Sequence, residues 1–524
     1  MSADPLAPTG LVPEGWRSVA DQLYANAAAR PESPALVCVD DGRALSWGAL
    51  GACARRLAGF LAASGLGPND RVVVLGDNSI EWLILYYGIQ AYGATFCTVN
   101  VEVNARHARE MLARMDPKLV LFEASLDTEA LGYGAPGAWI AYGRHDDAAA
   151  GGLFAMLAAL PADDSAPPPA PVNGPEDRCV ISFTSGTESA PKGVLHDFCN
   201  YYAIAEHQRD RWSLTAEDRI LDVRSFSWAS AHMLSLNPVL LAGATLLFAR
   251  GFSRSRFFAW LRAHRPTVVV AVPTVVNMLL ERRGENEAAG AFAGVRFLSC
   301  STAPLAPDRH LLFEEVYGVP LVQLYGMSEG GVVCANRPET RRIGSVGAPG
   351  MYQDLAIRGP DGEALGPGED GDIETVSAQH AHAYLHADGT LEPIRGRPLR
   401  TGDIGRIGED GFVTVTGRAK DVIIRGGVNI APLEIDNALT ACPGVAEAAA
   451  VGIPDAVWGE EVCAFVAFKP GAAADVEEVR AHCAATLPPA KAPKHFVVVE
   501  ALPKNANGKL DRNALRVMWE AEAR

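Results

Sequence analysis

Lysine is scarce in this chain: of 46 basic residues only eight are Lys, against 62 acidic ones, and the formal net charge is −16. A surface so negative repels a polyanion, which argues against general nucleic-acid binding while leaving room for an anion held in a local site. Long apolar runs are also missing. The longest, such as residues 82–89 and 268–272, fall well short of the roughly 20 needed to cross a bilayer, so no transmembrane segment is expected. The stretch 1–16 has neither a basic start nor an apolar segment behind it, the two parts of a secretory signal. Ten cysteines are spread with no Cys-x-x-Cys pair, Cys38 and Cys53 being the nearest neighbours. That spacing disfavours a zinc site or a disulfide framework and reads as small buried thiols in a reducing compartment. The expected location is cytoplasmic.

What is present is ordinary globular material: 524 residues, 48% hydrophobic and 21% charged, enough for more than one domain. Strand-like runs alternate with helix-like ones, as in 71–75 before 79–92 and 105–115 before 118–122. Such alternation predicts parallel sheets covered by helices. A Pro- and Asp-rich linker is expected at 160–177, and strands follow at 179–184, 219–223, 267–271, 295–299 and 321–324. From 344 to 417 Gly-rich turns and short alternating strands predict a small β-barrel. A compact α+β pattern follows. The expected fold is therefore α/β, a large N-terminal domain of two helix-covered, mainly parallel sheets plus a small barrel, with a small α+β C-terminal domain on a hinge. The division is 1–418, with subdomains of about 1–170, 171–340 and 341–418, followed by 419–524.

Four segments carry chemistry. Ser182-Phe183-Thr184-Ser185-Gly186-Thr187-Glu188-Ser189-Ala190-Pro191-Lys192-Gly193 follows an apolar run directly. Its glycines and hydroxyls offer N–H and O–H donors to phosphate oxygens, and Lys192 adds positive charge. The Walker pattern, in which Ser or Thr follows Gly-Lys, is not met. Gln323-Leu324-Tyr325-Gly326-Met327-Ser328-Glu329-Gly330-Gly331 places a ring, a hydroxyl and a carboxylate just past a strand, where ligands of open parallel sheets bind; taken alone it reads equally as a strand-to-turn connection. Arg400-Thr401-Gly402-Asp403 presents Asp403 to ribose hydroxyls or is a plain turn, with Gly417-Arg418-Ala419-Lys420-Asp421 close behind. Lys509 follows the Asn507-Gly508 turn, where a lysine by itself is usually only solvated.

In this order the four segments resemble the adenylate-forming (ANL) superfamily of acyl- and aryl-CoA synthetases, firefly-type luciferases and peptide-synthetase adenylation domains, over nearly the whole chain. The resemblance implies an AMP-forming ligase that uses ATP, Mg²⁺ and coenzyme A: a carboxylic acid becomes an acyl-adenylate and is then passed to the CoA thiol. It implies that Thr184, Ser185, Gly186, Thr187 and Lys192 hold phosphates and that Ser301, Thr302 and Ala303 line the adenine and acyl pocket. It further implies that Tyr325 packs on adenine, Ser328 contacts phosphate or substrate, Glu329 holds the metal, Asp403 takes the ribose and Arg418 lies near the nucleotide. Lys420 becomes the hinge and Lys509 the lysine that completes the adenylation site. Glu188 and Ser189 depart from the family's commonest loop, which has Thr-Gly there. Phe226, Ser227, Trp228 and His232, with Gly330 and Gly331 opposite, are expected to form the acyl pocket, although an aromatic stripe is also ordinary core. Gly426 and Gly427 are expected beside the CoA path, or form a tight turn. Two other readings stand beside this one, a stand-alone adenylation enzyme loading a carrier-protein phosphopantetheine and a non-catalytic nucleotide-binding regulator. Acid identity and oligomeric state are open.

Overall fold

A computed structural model describes residues 12–100, 105–126, 138–143, 153, 157, 173–183, 192–281, 290–426, 428–472, 475–504 and 510–522. Two large sheets dominate. The first has eight strands in the order Leu391–Pro393, Ala383–Leu385, Gly193–Asp197, Arg178–Phe183, Thr95–Thr98, Arg71–Leu75, Leu119–Glu123 and Ala138–Tyr142; the five from Arg178–Phe183 onward are parallel. The second has nine, with Leu321–Met327, Phe297–Cys300, Val268–Ala271, Arg219–Asp222, Thr245–Phe248 and Pro34–Cys38 parallel at its centre. Central strands such as Val72–Leu75 and Val268–Ala271 are continuous apolar runs because both their faces are covered.

The chain interleaves the sheets. Strand Pro34–Cys38 and its partner Ala44–Ser46 lie in the nine-stranded sheet, whereas Arg178–Phe183, Gly193–Asp197 and the hairpin 383–393 return to the eight-stranded one. Helix Ile80–Tyr92 packs against strands of both, which explains why it is buried nearly all round instead of showing one apolar stripe. Ser79 starts it by accepting from Trp82 N–H at 3.1 Å, and Gly93 ends it at φ +96°.

The Gly-rich stretch expected as a barrel forms a four-stranded antiparallel sheet, Gln353–Arg358, Gly371–Ser377, Leu399–Ile407 and Val413–Arg418. No helix among the described residues is long and apolar enough to cross a membrane. None of the ten cysteines forms a disulfide, and all but Cys53 are buried.

The C-terminal unit is a five-stranded sheet with helices Pro432–Ala441, Val476–Thr486 and Arg512–Glu522. Arg512 pins the last helix: it pairs with the buried Asp436 carboxylate and donates through Nη1 to Ala450 O at 2.6 Å, while Ala450 N–H donates to Asp436 at 2.7 Å. Removing one member of such a pair strands the other charge, so Asp436→Ala is expected to destabilise this unit by about 3–5 kcal/mol. Urea unfolding checks it, and the double change Asp436→Leu/Arg512→Met should restore much of the loss.

Candidate active site

The site begins at a strand end. Leu321–Met327 runs parallel to Phe297–Cys300, then reverses through Ser328, Glu329 and Gly330 into Gly331–Ala335. Glycine is required at two points of this reversal. A Cβ on Gly326 would lie 2.4 Å from the Gly331 carbonyl oxygen, and Gly331 has φ +70°, the left-handed region. Gly330 and Gly331 are both covered, by Met327 and by Gln379 and Ile204 respectively.

Tyr325, just before the turn, donates its hydroxyl to Asp403 Oδ2 at 2.5 Å. Arg418 Nε lies 2.8 Å from Asp403 Oδ1. Asp403 and Arg418 are register partners in the four-stranded sheet, and Asp403 is buried, its backbone N–H donating to Thr401 Oγ1 at 3.1 Å. Residues from two separate sequence motifs and two sheets thus converge on one carboxylate. Burial, then the charge of Asp403, raises the Tyr325 phenol well above its usual range, so it stays a proton donor.

Glu329 forms a second cluster. Burial raises its carboxyl above the ordinary value, opposed by its own backbone N–H, Lys192, the Tyr384 hydroxyl and Arg418. Lys192 Nζ sits 5.4 Å from the centre of the Tyr384 ring, and burial followed by the charge of Glu329 pushes the Tyr384 phenol up. Tyr384 arrives on Ala383–Leu385, which pairs antiparallel with Gly193–Asp197. The strand that leaves the phosphate-loop segment therefore delivers Tyr384 to Glu329. Beneath it, Asp197 Oδ2 is held 3.1 Å from His382 Nδ1 and 3.0 Å from Arg395 Nη1. Sequence reasoning missed Tyr384, which sits in no Gly-rich or charged motif; its role is visible only once the strands pair.

At the neighbouring strand end Ser301 is buried with an unpartnered Oγ. Thr302 and Ala303 are exposed, and Thr302 has φ +75°, a strained conformation for a β-branched residue. The residues expected around the acyl group divide. Ser227 and Trp228 are half-buried, but Phe226 and His232 are fully buried in the main core. His232 has Nε2 2.7 Å from Phe226 O and Nδ1 3.1 Å from Tyr201 Oη, and burial lowers its pKa to about 4. With both nitrogens occupied inside an aromatic cluster of Trp82, Tyr86 and Phe96, it is a satisfied core histidine, and the structure does not bring Phe226 or His232 to an open face.

Ser328 is half-buried in the turn and Lys420 is exposed in the short helical turn Ala419–Asp421. Gly426 has φ +58° and a Cβ there would meet the Trp458 ring at 2.6 Å. Thr184, Ser185, Gly186, Thr187, Glu188, Ser189, Gly427 and Lys509 lie outside the described residues.

With this geometry in place, the family is plain: residues 23–385 match the AMP-binding enzyme model and 434–509 the AMP-binding enzyme C-terminal domain, and the chain belongs to that family. It is 34% identical over 522 residues to a sulfoacetate–CoA ligase of Cupriavidus necator, covering 95% of this chain and 97% of that one. It is 32% identical over 486 residues to an indoleacetate–CoA ligase of Aromatoleum aromaticum, covering 90% and 93%. Among solved structures, ATP-bound MatB from Rhodopseudomonas palustris superposes with a TM-score of 0.84 at 26% identity, covering 96% of this chain and 98% of that one.

Proposed function

We propose that this AMP-forming acid–CoA ligase holds its nucleoside at Tyr325, Asp403 and Arg418 and its phosphates at Lys192, with Glu329 as the carboxylate for the metal. The observation that carries the assignment is the convergence of Tyr325 and Arg418 on buried Asp403, with Glu329 and Lys192 beside it. Ribose hydroxyls suit a buried carboxylate held ready by two donors.

In the first half-reaction a carboxylate oxygen attacks the α-phosphorus of ATP and pyrophosphate leaves. In the second, the CoA thiol attacks the acyl carbon and AMP leaves. Attack gathers negative charge at phosphorus, so Lys192 and the N–H and O–H groups of the loop stabilise the transition state. The raised carboxyl of Glu329 marks a poorly solvated anion, which fits a divalent cation. A single protein carboxylate suits Mg²⁺, which takes many of its ligands from water and phosphate. When bound, Mg²⁺ would neutralise phosphate charge. Lys509 completes the adenylation site, and the piece beyond about residue 418 turns about Lys420 to bring the Gly426–Gly427 segment to the acyl group for thiol transfer.

The acids of the two relatives, sulfoacetate and indoleacetate, are both substituted acetates, which supports a substituted acetate as substrate. ATP–pyrophosphate exchange over a panel of acids, followed by AMP release with CoA, tests the assignment. Acid-dependent exchange is expected; none with any acid would sink it.

Glu329→Gln should weaken the apparent affinity for Mg²⁺ by about tenfold or more. Because the native carboxyl is raised, it protonates as pH falls at a higher pH than an ordinary Glu, and exchange is lost there. The exchange rate against pH, in native and variant protein, checks both. A variant that keeps the same acidic limb contradicts the assignment.

A further inference from the structure

The carboxyl edge of the nine-stranded sheet carries a row of buried polar groups of which only Ser301 was expected at the adenine and acyl pocket. Asp222, Val270 and Ser299 are register neighbours on three adjacent parallel strands, which puts Asp222 and Ser299 roughly 10 Å apart, two strand spacings. They face the same way. Ile220, Val268, Val270, Phe297 and Val322 belong to one core cluster and Leu221, Val269 and Leu298 to the other, so side chains alternate between faces. Ser301 and Arg224 follow two residues beyond Ser299 and Asp222, past the strand ends where ligands of open parallel sheets bind.

Arg224 is 8% exposed, Ser301 3% and Ser299 0%. Asp222 engages Arg224 through Nε at 2.9 Å and Nη2 at 2.6 Å, and also accepts from Ser235. Asn78 clamps the following turn, donating to Arg224 O at 2.7 Å and accepting from Phe226 N–H at 2.8 Å. Asp222 thus holds the guanidinium and Asn78 the backbone that carries it. Yet Arg224 Nη1, Ser299 Oγ and Ser301 Oγ have no hydrogen-bond partner among the described residues. A buried orphan is costly to leave unsatisfied, and all three can donate. The one carboxylate of the row, Asp222, is already spent on Arg224 and Ser235. Half-buried Ser227 and Trp228 follow Arg224 directly. A row of donors without a free acceptor selects an oxyanion, and an alkyl chain placed there would leave every orphan unsatisfied.

We propose that the acyl end of the site takes a short carboxylic acid bearing a second oxyanion, a carboxylate or a sulfonate, received by Arg224 Nη1 and the Ser299 and Ser301 hydroxyls. The inference rests on the acid–CoA ligase assignment above. The remote oxyanion is held by a rigid, charge-assisted donor that needs no ordering on binding, while the reacting carboxylate points toward the nucleotide.

The test is pyrophosphate exchange by the full chain with length-matched pairs: malonate against propanoate, succinate against butanoate, and sulfoacetate against malonate to separate the two oxyanions, with octanoate as the long-chain arm. At least one two-oxyanion acid should exceed its matched monoacid about tenfold or more in kcat/KM, the worth of one charge-assisted bond. Ser299→Ala should lower that ratio severalfold, mainly through KM. Arg224→Gln risks misfolding by stranding Asp222, so Arg224→Gln/Asp222→Asn is the paired variant, and it should abolish the preference. Monoacids or octanoate outperforming the two-oxyanion acids, or an unchanged ratio in both variants, would overturn the proposal while leaving the ligase assignment intact. No exchange with any acid overturns that assignment and this inference with it.

Discussion

Asp403→Ala is expected to lower kcat/KM for ATP in pyrophosphate exchange by about 100- to 1000-fold, ~3–4 kcal/mol at 1.36 kcal/mol per tenfold. The size follows from what the carboxylate does. It is buried and receives the Tyr325 hydroxyl on one oxygen and the Arg418 guanidinium on the other; hydrogen bonds to a charged group are worth about 1.5–3 kcal/mol each. Truncation removes the proposed ribose acceptor and leaves a buried phenol and a cation without their partner. Tyr325→Phe, which deletes only the donor, should cost nearer tenfold. Because the two residues touch, the double variant should fall short of the sum of the single losses, and the cycle measures the coupling. An Asp403→Ala protein within threefold of native would remove this carboxylate from the nucleotide site.

Lys509→Ala separates the two half-reactions. Adenylate formation should fall by about 100- to 1000-fold, the usual cost of one preorganised transition-state donor, whereas transfer to CoA from a supplied acyl-adenylate stays within a few-fold. The flanking residues Lys504 and Leu510 pair in an antiparallel bridge, Lys504 is tied to Glu447 and Leu510 packs on the C-terminal core, so that core anchors the chain on both sides of this lysine. Gly426→Val is the mirror experiment. Gly426 sits at φ +58° against the Trp458 ring, so a branched side chain there should slow transfer and spare adenylation. Equal loss of both steps in Lys509→Ala would contradict a C-terminal unit that serves the two steps in turn.

The parts legible in the sequence were those whose chemistry is local. Tyr325-Gly326-Met327-Ser328-Glu329 could be placed at a strand end because an apolar run and a glycine turn announce such a position within a few residues, whereas Arg400-Thr401-Gly402-Asp403, which reads locally as a turn, lies inside the strand Leu399–Ile407. The aromatic stretch at 226–232 was ambiguous for the same local reason. Its residue types suit a pocket wall and a core equally, and only burial assigned Phe226 and His232 to the core while leaving Trp228 half-buried.

The sequence alone therefore determined the α/β class and the order of the motifs, since these depend on residue type and short-range periodicity, and the adenylate-forming chemistry followed from the family resemblance those motifs carry. Tertiary structure decided what meets what: Tyr325 and Arg418 on Asp403, Tyr384 between Lys192 and Glu329, and Asp222 in register with Val270 and Ser299. Those meetings are set by strand order and register between segments far apart in the chain, and a register leaves no mark in the composition of either segment.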